Sequence, residues 1–317
     1  MKTIEIIKRK RLINVSRFAL ASIFILIAFS VKAQDNIATK LGYAADAKLL
    51  IIHADDLGVS HSENMASIEA IENGSVNSAS LMMPTPWVLE VANYAKKNAA
   101  THDFGLHLVL SSEWKNYRWG PVSSIEKVPS LINEFGYFHE GCTPTVNLTE
   151  VEVELKAQID RAYSMGFEPT HLDSHMGCLF QSEELIEVYL KMGKLYNLPV
   201  LATKQAVPEE LIRKYDVPVF LEEVLTIMPE EYAKGPEDYY IHAIKNLKPG
   251  LSTFLIHTAY NNDEMKGMNI DHPEWGNEWR QKDFDFFTSD TCKNILKEEN
   301  IILVTWRQVK DAFYSKK

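Results

Sequence analysis

Short apolar segments of strand type alternate with helical patterns along most of this chain, and this alternation restricts the fold more than any other feature. The strand-type segments lie at residues 49–53, 79–83, 104–110, 170–172, 200–202, 217–221, 253–257 and 301–305. Helical patterns lie between several of them, at residues 62–73, 86–98, 148–165, 182–196 and 289–298. Strands that alternate with helices in this way predict parallel βα units. About eight strands favour a single α/β domain built as a (β/α) barrel over an open sheet.

The N-terminus has the pattern of a secretory signal peptide at residues 1–33. Basic residues precede an apolar run from Phe18 to Val31, and the small residue Ala33 follows. The run has about 14 residues, which is shorter than the roughly 20 that span a bilayer, so an uncleaved membrane anchor is the less favoured alternative. We therefore predict cleavage after Ala33 and an exported protein, either periplasmic or secreted, whose mature domain comprises residues 34–317.

The predicted mature chain is strongly acidic. Residues 1–33 hold seven of the 33 basic residues and one of the 43 acidic residues, so their removal changes the formal net charge from −10 to −16. A surface of this charge repels nucleic acid and anionic membranes. We therefore expect no nucleic-acid partner and no membrane association after cleavage. The oligomeric state stays open, with a homodimer as one alternative.

The three cysteines are Cys142, Cys178 and Cys292, and their spacing is not that of a metal site. An oxidising compartment permits one disulfide among them and leaves one thiol over. The interpretation that we favour is that all three are small buried residues.

Ionisable side chains lie at the ends of several predicted strands, where a (β/α) barrel carries its chemistry. Asp55 and Asp56 follow the first strand, and such a pair is costly to bury, so it is either a solvated turn or a functional pair. His107 lies inside the apolar third strand, where a hydrogen-bonded core histidine is the alternative. His257 ends the seventh strand-type segment.

The fourth strand-type segment carries His171, Asp173 and His175 at a spacing of two residues. On an extended strand these side chains point to one face, although a surface strand would show the same pattern. Two His and one Asp leave coordination positions open, which suits a catalytic divalent metal such as zinc. A metal-activated water, a carboxylate base and a histidine acid together form the set of groups that amide hydrolysis requires.

The motifs resemble those of the YdjC-like carbohydrate deacetylases, which include the chitooligosaccharide deacetylases. The resemblance extends over about residues 47–310 and rests on four segments in the family's order. These segments are Ala-Asp-Asp-Leu-Gly at 54–58, Gly-Leu-His-Leu at 105–108, Thr-His-Leu-Asp-Ser-His at 170–175 and the segment that contains His257, with Asn64 and residues 74–82 as further similarities.

The resemblance implies an irregular TIM-like (β/α) barrel that hydrolytically removes an N-acetyl group from an amino sugar. It implies Asp56, His107 and His175 as ligands of a divalent ion, either zinc or magnesium, and two histidine ligands favour zinc. It also implies Asp55 as the base that activates water and His257 as the acid.

This chain departs from the family pattern at two places. Met176 and Gly177 stand where members often have a further histidine, and Thr258 stands where many have a proline. Export is a further difference, because the best-known members act on cytoplasmic phosphorylated sugars. We therefore expect an unphosphorylated N-acetylated oligosaccharide or glycan as the substrate.

Candidate substrate-binding residues lie beside the motifs, and they are His171, Asp173, Trp114, Trp119 and Arg280. The two tryptophans follow the His107 strand in an aromatic loop, which either stacks on sugar rings or packs on its own aromatic side chains. Arg280 lies in a long insertion after His257 and either lines the pocket or only packs beside it.

Two other functions stay open at this point. One is a metal-dependent amidase or esterase that acts on another exported glycan or on a lipid-linked substrate. The other is a periplasmic sugar-binding barrel that has lost its activity. The combination of Asp55 with Asp56, His107 and His175 argues against the second, because a binding protein has no need of a base.

Overall fold

Parallel strands form the centre of the computed structural model, which describes residues 36–143 and 145–314. The strands are β1 Lys48–Leu57, β2 Ser78–Leu81, β3 Phe104–Leu108, β4 Leu172–Ser174, β5 Glu223–Leu225, β6 Gly250–Ile256 and β7 Ile302–Leu303. Their order in the seven-stranded sheet is β4-β3-β2-β1-β6-β5, and β7 pairs with β1 outside this path. The predicted signal peptide at residues 1–33 lies outside the described residues.

Helices connect the strands, as the sequence pattern predicts. The α-helices are α1 Ile37–Lys40, α2 His61–Asn73, α3 Val88–Lys97, α4 Leu148–Ser164, α5 Glu183–Tyr196, α6 Glu209–Tyr215, α7 Pro229–Tyr232, α8 Pro236–Lys245, α9 Asp263–Met268, α10 Asn277–Thr288, α11 Asp290–Glu298 and α12 Trp306–Phe313. Short 3₁₀ segments lie at Ile125–Lys127, Pro129–Leu131, His175–Phe180 and Lys204–Ala206. Among residues 36–143 and 145–314, no helix is both long enough and apolar enough to cross a bilayer.

β1 is the central strand and the longest one, and it is buried along almost its whole length. Its residues 49–57 are all buried, and it pairs with β2, β6 and β7. A parallel strand that is covered on both faces has a continuous apolar sequence, which explains the run from Leu49 to Ile52. Full burial of each such side chain contributes about 1.5–3 kcal/mol, so this run anchors the strand whose end carries Asp55 and Asp56.

The sheet curls into a partial barrel. Between β4 and β5, the predicted strands at 200–202 and 217–221 are wrong, because only isolated bridges form there: Leu172 pairs with Val200, and Thr203 pairs with Leu221. Pro218 explains part of this difference, since proline cannot donate a ladder hydrogen bond. The prediction of a single α/β domain with a parallel sheet is confirmed. The described residues form a partial barrel and not the full (β/α) barrel of the prediction.

One disulfide links Cys142 to Cys178, while Cys292 is free and buried. The favoured interpretation of the cysteines is therefore wrong for Cys142 and Cys178 and agrees with the structure for Cys292. The bridge joins the long loop that follows β3 to the 3₁₀ segment that begins at His175. It thus connects two segments at the carboxyl ends of neighbouring strands.

Candidate metal-binding active site

Three buried side chains direct one donor atom each to a common point at the carboxyl ends of the strands. Nε2 of His107 lies 3.3 Å from Oδ1 of Asp56, Nδ1 of His175 lies 3.2 Å from the same oxygen, and the two nitrogens are 3.2 Å apart. One ion with bonds of about 2.0–2.2 Å requires donors at this spacing. Asp56 Oδ1 is buried and makes no hydrogen bond, so a cation bound between it and the two histidines would satisfy this oxygen.

Asp55 and Asp56 both reach this site because β1 is irregular at its end. In a regular strand, adjacent side chains point to opposite faces. Here the register with β2 shifts between Ala54 and Leu57, and Asp56 adopts a left-handed backbone with φ +67°. Such a bulge re-aims a side chain, and strained conformations of this type concentrate at functional sites. The irregularity thus turns an adjacent acidic pair into two neighbouring site residues.

His175 reaches the site from the turn after β4. β4 ends at Ser174, and the following Met176 and Gly177 have φ of +52° and +64°. The chain therefore leaves the strand direction directly after His175, whose imidazole is 4% exposed. Asp173 and His171 lie earlier in the same segment and deeper in the fold, where His171 stacks on Trp306 with ring centroids 5.0 Å apart.

A carboxylate stands behind each histidine ligand. Asp173 Oδ1 lies 2.6 Å from Nδ1 of His107, and Glu113 Oε2 lies 3.1 Å from Nε2 of His175. A histidine that binds a metal through one nitrogen commonly donates its other N–H to a carboxylate, which fixes the tautomer and the ring orientation. In both rings the nitrogen that faces Asp56 is thereby left to act as a ligand. The pattern supports this donor set on grounds that are independent of the three distances.

Two other groups of donors occur nearby, but hydrogen bonds occupy the carboxylate that both groups share. The first is His53, His171 and Asp173, and the second is Asp55, His107 and Asp173. Asp173 Oδ2 lies 2.9 Å from Nε2 of His53, and Oδ1 is engaged with His107. The carboxylate of Asp173 is therefore occupied on both oxygens, and the group around Asp56 fits an ion best.

Arg280 holds the second oxygen of Asp56. Its Nη2 donates to Asp56 Oδ2 at 2.8 Å, its Nη1 lies 2.6 Å and 2.7 Å from the two carboxylate oxygens of Glu63, and its Nε donates to the Trp275 carbonyl at 2.6 Å. Arg280 lies in α10, and Glu63 lies in the first turn of α2, which Ser60 caps. The guanidinium thus lies in the cavity wall with its donors directed at protein acceptors.

The neighbouring charges set the protonation states of the metal-free site. Burial opposes ionisation of Asp56, but Arg280 and His175 outweigh it and hold the pKa of Asp56 well below its usual value. Burial likewise opposes protonation of His175, but Glu113 and Asp56 raise its pKa to about 9. The pKa of His107 is also raised, because Asp173 and Asp55 outweigh the effect of burial.

Asp55, the predicted base, faces His53. Oδ1 of Asp55 lies 3.1 Å from Nε2 of His53, and the hydroxyl of Ser80 donates to the same oxygen at 3.4 Å. Burial disfavours a charged His53, but Asp173 and Asp55 raise its pKa to about 9. His53 thus supplies a buried positive charge between two carboxylates.

His257, the predicted acid, lies at the edge of the site. Its Nε2 is 4.0 Å from Asp55 Oδ2 and 3.8 Å from Asp56 Oδ2, and its side chain is 18% exposed. Burial lowers the pKa of His257 to about 4, so the ring is neutral at neutral pH. The backbone N–H of His257 donates to Asp283 Oδ2 at 2.9 Å, which anchors the residue at the end of β6.

A cavity of about 520 Å³ opens onto these residues. Its wall includes the three donors and Asp55, and also Trp114, Trp275 and Arg280. Trp114 is 2% exposed, packs against Tyr117 and Trp119, and lies 5.5 Å from the Arg280 guanidinium. The aromatic loop thus packs on its own rings, while Trp114 also lines the cavity and Trp119 is buried beside it.

Sequence reasoning missed Glu113, Glu63 and His53 as parts of the site. Glu113 lies in an irregular loop without periodicity, and Glu63 is an acid in a helix whose partner is 217 residues distant. His53 lies on the site face of β1, two residues before Asp55. Strand alternation places both side chains on one face, and this was the signal that sequence reasoning did not use.

The residues at 49–298 match the model of a family described as YdjC-like protein. The chain belongs to the YdjC-like family. A carbohydrate deacetylase of Thermus thermophilus is 32% identical over 283 residues, which cover 84% of this chain and 96% of that protein. A carbohydrate deacetylase of Thermoanaerobacter pseudethanolicus is 27% identical and covers 83% of this chain and 100% of that protein. The resemblance inferred from the motifs is thereby confirmed.

A solved structure has a similar fold. The crystal structure of an Enterococcus faecalis V583 protein, described as a proposed cellobiose-phosphate cleavage protein, superimposes with a TM-score of 0.72 at 25% identity. The superposition covers 83% of this chain and 99% of the other. The likeness therefore extends over nearly the whole of that chain.

Proposed function

We propose that this protein is a metal-dependent hydrolase that removes N-acetyl groups from an amino-sugar oligosaccharide or glycan. The observation that carries this proposal is the unpartnered Oδ1 of Asp56, which lies 3.2–3.3 Å from one nitrogen each of His107 and His175. Asp55 lies beside this group, so a base and a metal site adjoin the same cavity. The related carbohydrate deacetylases support the same chemistry.

Asp56, His107 and His175 would hold the ion. A set of two imidazoles and one carboxylate favours zinc over magnesium, which prefers oxygen donors. The bound ion would polarise the amide carbonyl and make water more acidic. The protein contributes the orientation of the ligands through Asp173, Glu113 and Arg280, each of which contacts one ligand from behind.

Asp55 would accept the proton of the attacking water. Its carboxylate lies beside the metal donors, and Nε2 of His53 contacts its Oδ1 at 3.1 Å on the other side. The same contact keeps Asp55 in one orientation, which a base needs in order to remain within reach of the water.

His257 would receive the proton that Asp55 takes from water and would donate it to the departing amine. The separation of 4.0 Å between His257 Nε2 and Asp55 Oδ2 supports such a transfer, because a small movement or one water joins the two atoms. The lowered pKa of His257 leaves the ring neutral before the reaction. His257 therefore needs to gain a proton during turnover and to donate it to the nitrogen.

Sequence and structural features support the proposed compartment, the proposed substrate class and the finer description of the fold. The signal-peptide pattern supports an exported enzyme, either periplasmic or secreted, that would meet unphosphorylated N-acetylated carbohydrate. The Cys142–Cys178 disulfide supports export, because disulfides persist in oxidising compartments. The bridges at Val200 and Thr203 support an irregular TIM-like barrel as the finer description of the fold.

An acetate-release assay over N-acetylated oligosaccharides, with and without a chelator, tests the proposal. Asp55→Asn should retain the metal and lose activity by about 10²–10⁴-fold, since a general base contributes a factor of this size. Asp46→Asn, at an exposed position, is the matched control. Unchanged acetate release by the Asp55 variant would exclude the base, and release that resists chelation would exclude the metal.

A further inference from the structure

A second cavity, of about 420 Å³, adjoins the metal site on the side of β4 and β5. It shares Asp55, His107, Ser174, Gly177 and Leu255 with the larger cavity, so the two spaces meet at the base and at one of the metal ligands. A molecule whose reactive carbon lies at this junction can therefore extend into both spaces.

The two cavities differ in the chemistry of their walls. Beyond the shared residues, the larger cavity carries seven titratable side chains beside several large apolar ones. The titratable residues are Asp56, Glu113, His175, His257, His272, Glu274 and Arg280, and the apolar ones include Trp114, Met176, Met228 and Trp275. Beyond the same residues, the smaller one is mainly apolar, and its apolar wall comprises Phe180, Leu201, Ala202, Ala206 and Val224.

The polar groups of the smaller cavity offer little to a sugar. Both carboxylate oxygens of Asp173 are engaged by His107 and His53, and the hydroxyl oxygen of Ser174 accepts the N–H of Leu179. Thr203 adds one further hydroxyl. A sugar ring buried here would leave several hydroxyl groups without partners, which is unfavourable. An aliphatic group suits these walls, because its burial removes apolar surface from water.

The covalent connectivity of the substrate determines which of its groups enters the smaller cavity. This step rests on the proposed function. The reacting carbonyl carbon carries the sugar nitrogen, the carbonyl oxygen and the acyl chain. If the sugar occupies the larger cavity, which holds most of the titratable side chains, and the oxygen faces the ligands, the acyl chain points towards the remaining space. We propose that the apolar cavity accommodates acyl chains longer than acetyl, so that N-acylated amino sugars with short aliphatic chains are also substrates.

The proposed reaction is hydrolysis of the same bond. Water adds to the carbonyl carbon, the C–N bond breaks, and the nitrogen takes a proton. The products are the free amino sugar and an aliphatic carboxylate. The volume of the cavity is far greater than a methyl group requires, since one water molecule occupies about 30 Å³ in the liquid.

A chain-length series tests the inference. N-acetyl, N-butanoyl and N-hexanoyl derivatives of one glucosamine oligosaccharide are compared by release of the free amine. We expect kcat/KM for the hexanoyl substrate to be within about tenfold of the acetyl value, because the apolar walls offset the extra bulk. If acetyl is removed and hexanoyl is removed more than about tenfold more slowly, the inference is wrong while the proposed function stands. If no acyl group is released, the proposed function itself fails.

Variants of the cavity wall test whether the acyl chain binds in the smaller cavity. Ala206 is exposed at the cavity wall, and Ala206→Phe should lower the hexanoyl-to-acetyl ratio of kcat/KM by at least about tenfold, because the larger side chain fills the space. Ala99→Phe, at an exposed position outside both cavities, should leave the ratio unchanged. Val224→Phe serves as a second variant if the first does not fold. An unchanged ratio in the folded variant would exclude this cavity as the acyl site.

Discussion

Glu113 Oε2 lies 3.1 Å from Nε2 of His175, on the ring nitrogen opposite the one that faces Asp56. The carboxylate comes from the loop after β3, while the histidine comes from the turn after β4. Burial disfavours ionisation of Glu113, but His175 outweighs this effect and lowers the pKa of the carboxyl group. The contact therefore holds a ligand ring in a defined orientation from a separate segment of the chain.

Glu113→Gln should weaken metal binding by about 10–100-fold, because outer-shell partners of ligand histidines typically contribute this much to affinity. The amide retains an acceptor but loses the charge that favours the N–H donor form of the ring. Metal titration monitored by calorimetry measures the dissociation constant. Glu134→Gln, at an exposed position, is the control. Equal affinities in the wild type and the Glu113 variant would contradict the positioning role.

Metal binding should release protons. In the metal-free protein, the pKa of about 9 means that His175 is protonated at pH 7, and the raised pKa of His107 favours protonation of that ring as well. An ion has to displace these protons, so affinity should rise as pH increases from 7 towards 9, by up to about tenfold per pH unit for each proton. Calorimetry in buffers with different ionisation enthalpies counts the protons. Binding without proton release, and with a flat pH dependence, would contradict the protonation states.

The alternation of side chains along a strand predicted which residues share a face, but it did not predict how deep in the fold each side chain lies. The spacing of His171, Asp173 and His175 correctly indicated that these side chains lie on the interior side of one segment. A strand rises about 3.3 Å per residue, so residues two apart differ by roughly 7 Å in depth. Only His175 therefore reaches the site, while Asp173 contacts a ligand from behind and His171 packs against Trp306.

Other features have no local signal in the sequence. The bulge that turns Asp56 into the site depends on the register between β1 and β2. The pairing of Arg280 with Asp56 joins residues 224 positions apart, and no periodicity indicates it. The strand composition around Val200 predicted a strand, but the local chain forms a single bridge instead. These three features thus depend on tertiary contacts, which the local amino-acid composition does not reveal.

Arg280→Met should destabilise the metal-free protein by about 3–5 kcal/mol, because it leaves the buried carboxylates of Glu63 and Asp56 without their partner. The double variant Glu63→Gln with Arg280→Met should recover part of this loss, since one buried charge is then removed. Urea unfolding in the presence of a chelator gives both values. Arg213→Met, in an exposed pair, should change stability by no more than about 0.5 kcal/mol. A loss at Arg280 no larger than the loss at Arg213 would show that the buried network contributes little.

Removal of the disulfide should loosen the loop that carries Glu113. The Cys142–Cys178 bridge closes a loop with a sequence separation of 36 residues, and Cys142→Ser with Cys178→Ser should cost about 3–4 kcal/mol on the chain-entropy account. Because the bridge also ties this loop to the segment after His175, the double variant should bind the metal more weakly than the wild type. Thermal unfolding and metal titration measure the two effects.

Cys292→Ala is the matched control for loss of a cysteine, and it should leave metal affinity unchanged because Cys292 lies in α11, outside the site. Loss of stability with unchanged metal affinity would confine the bridge to a structural role.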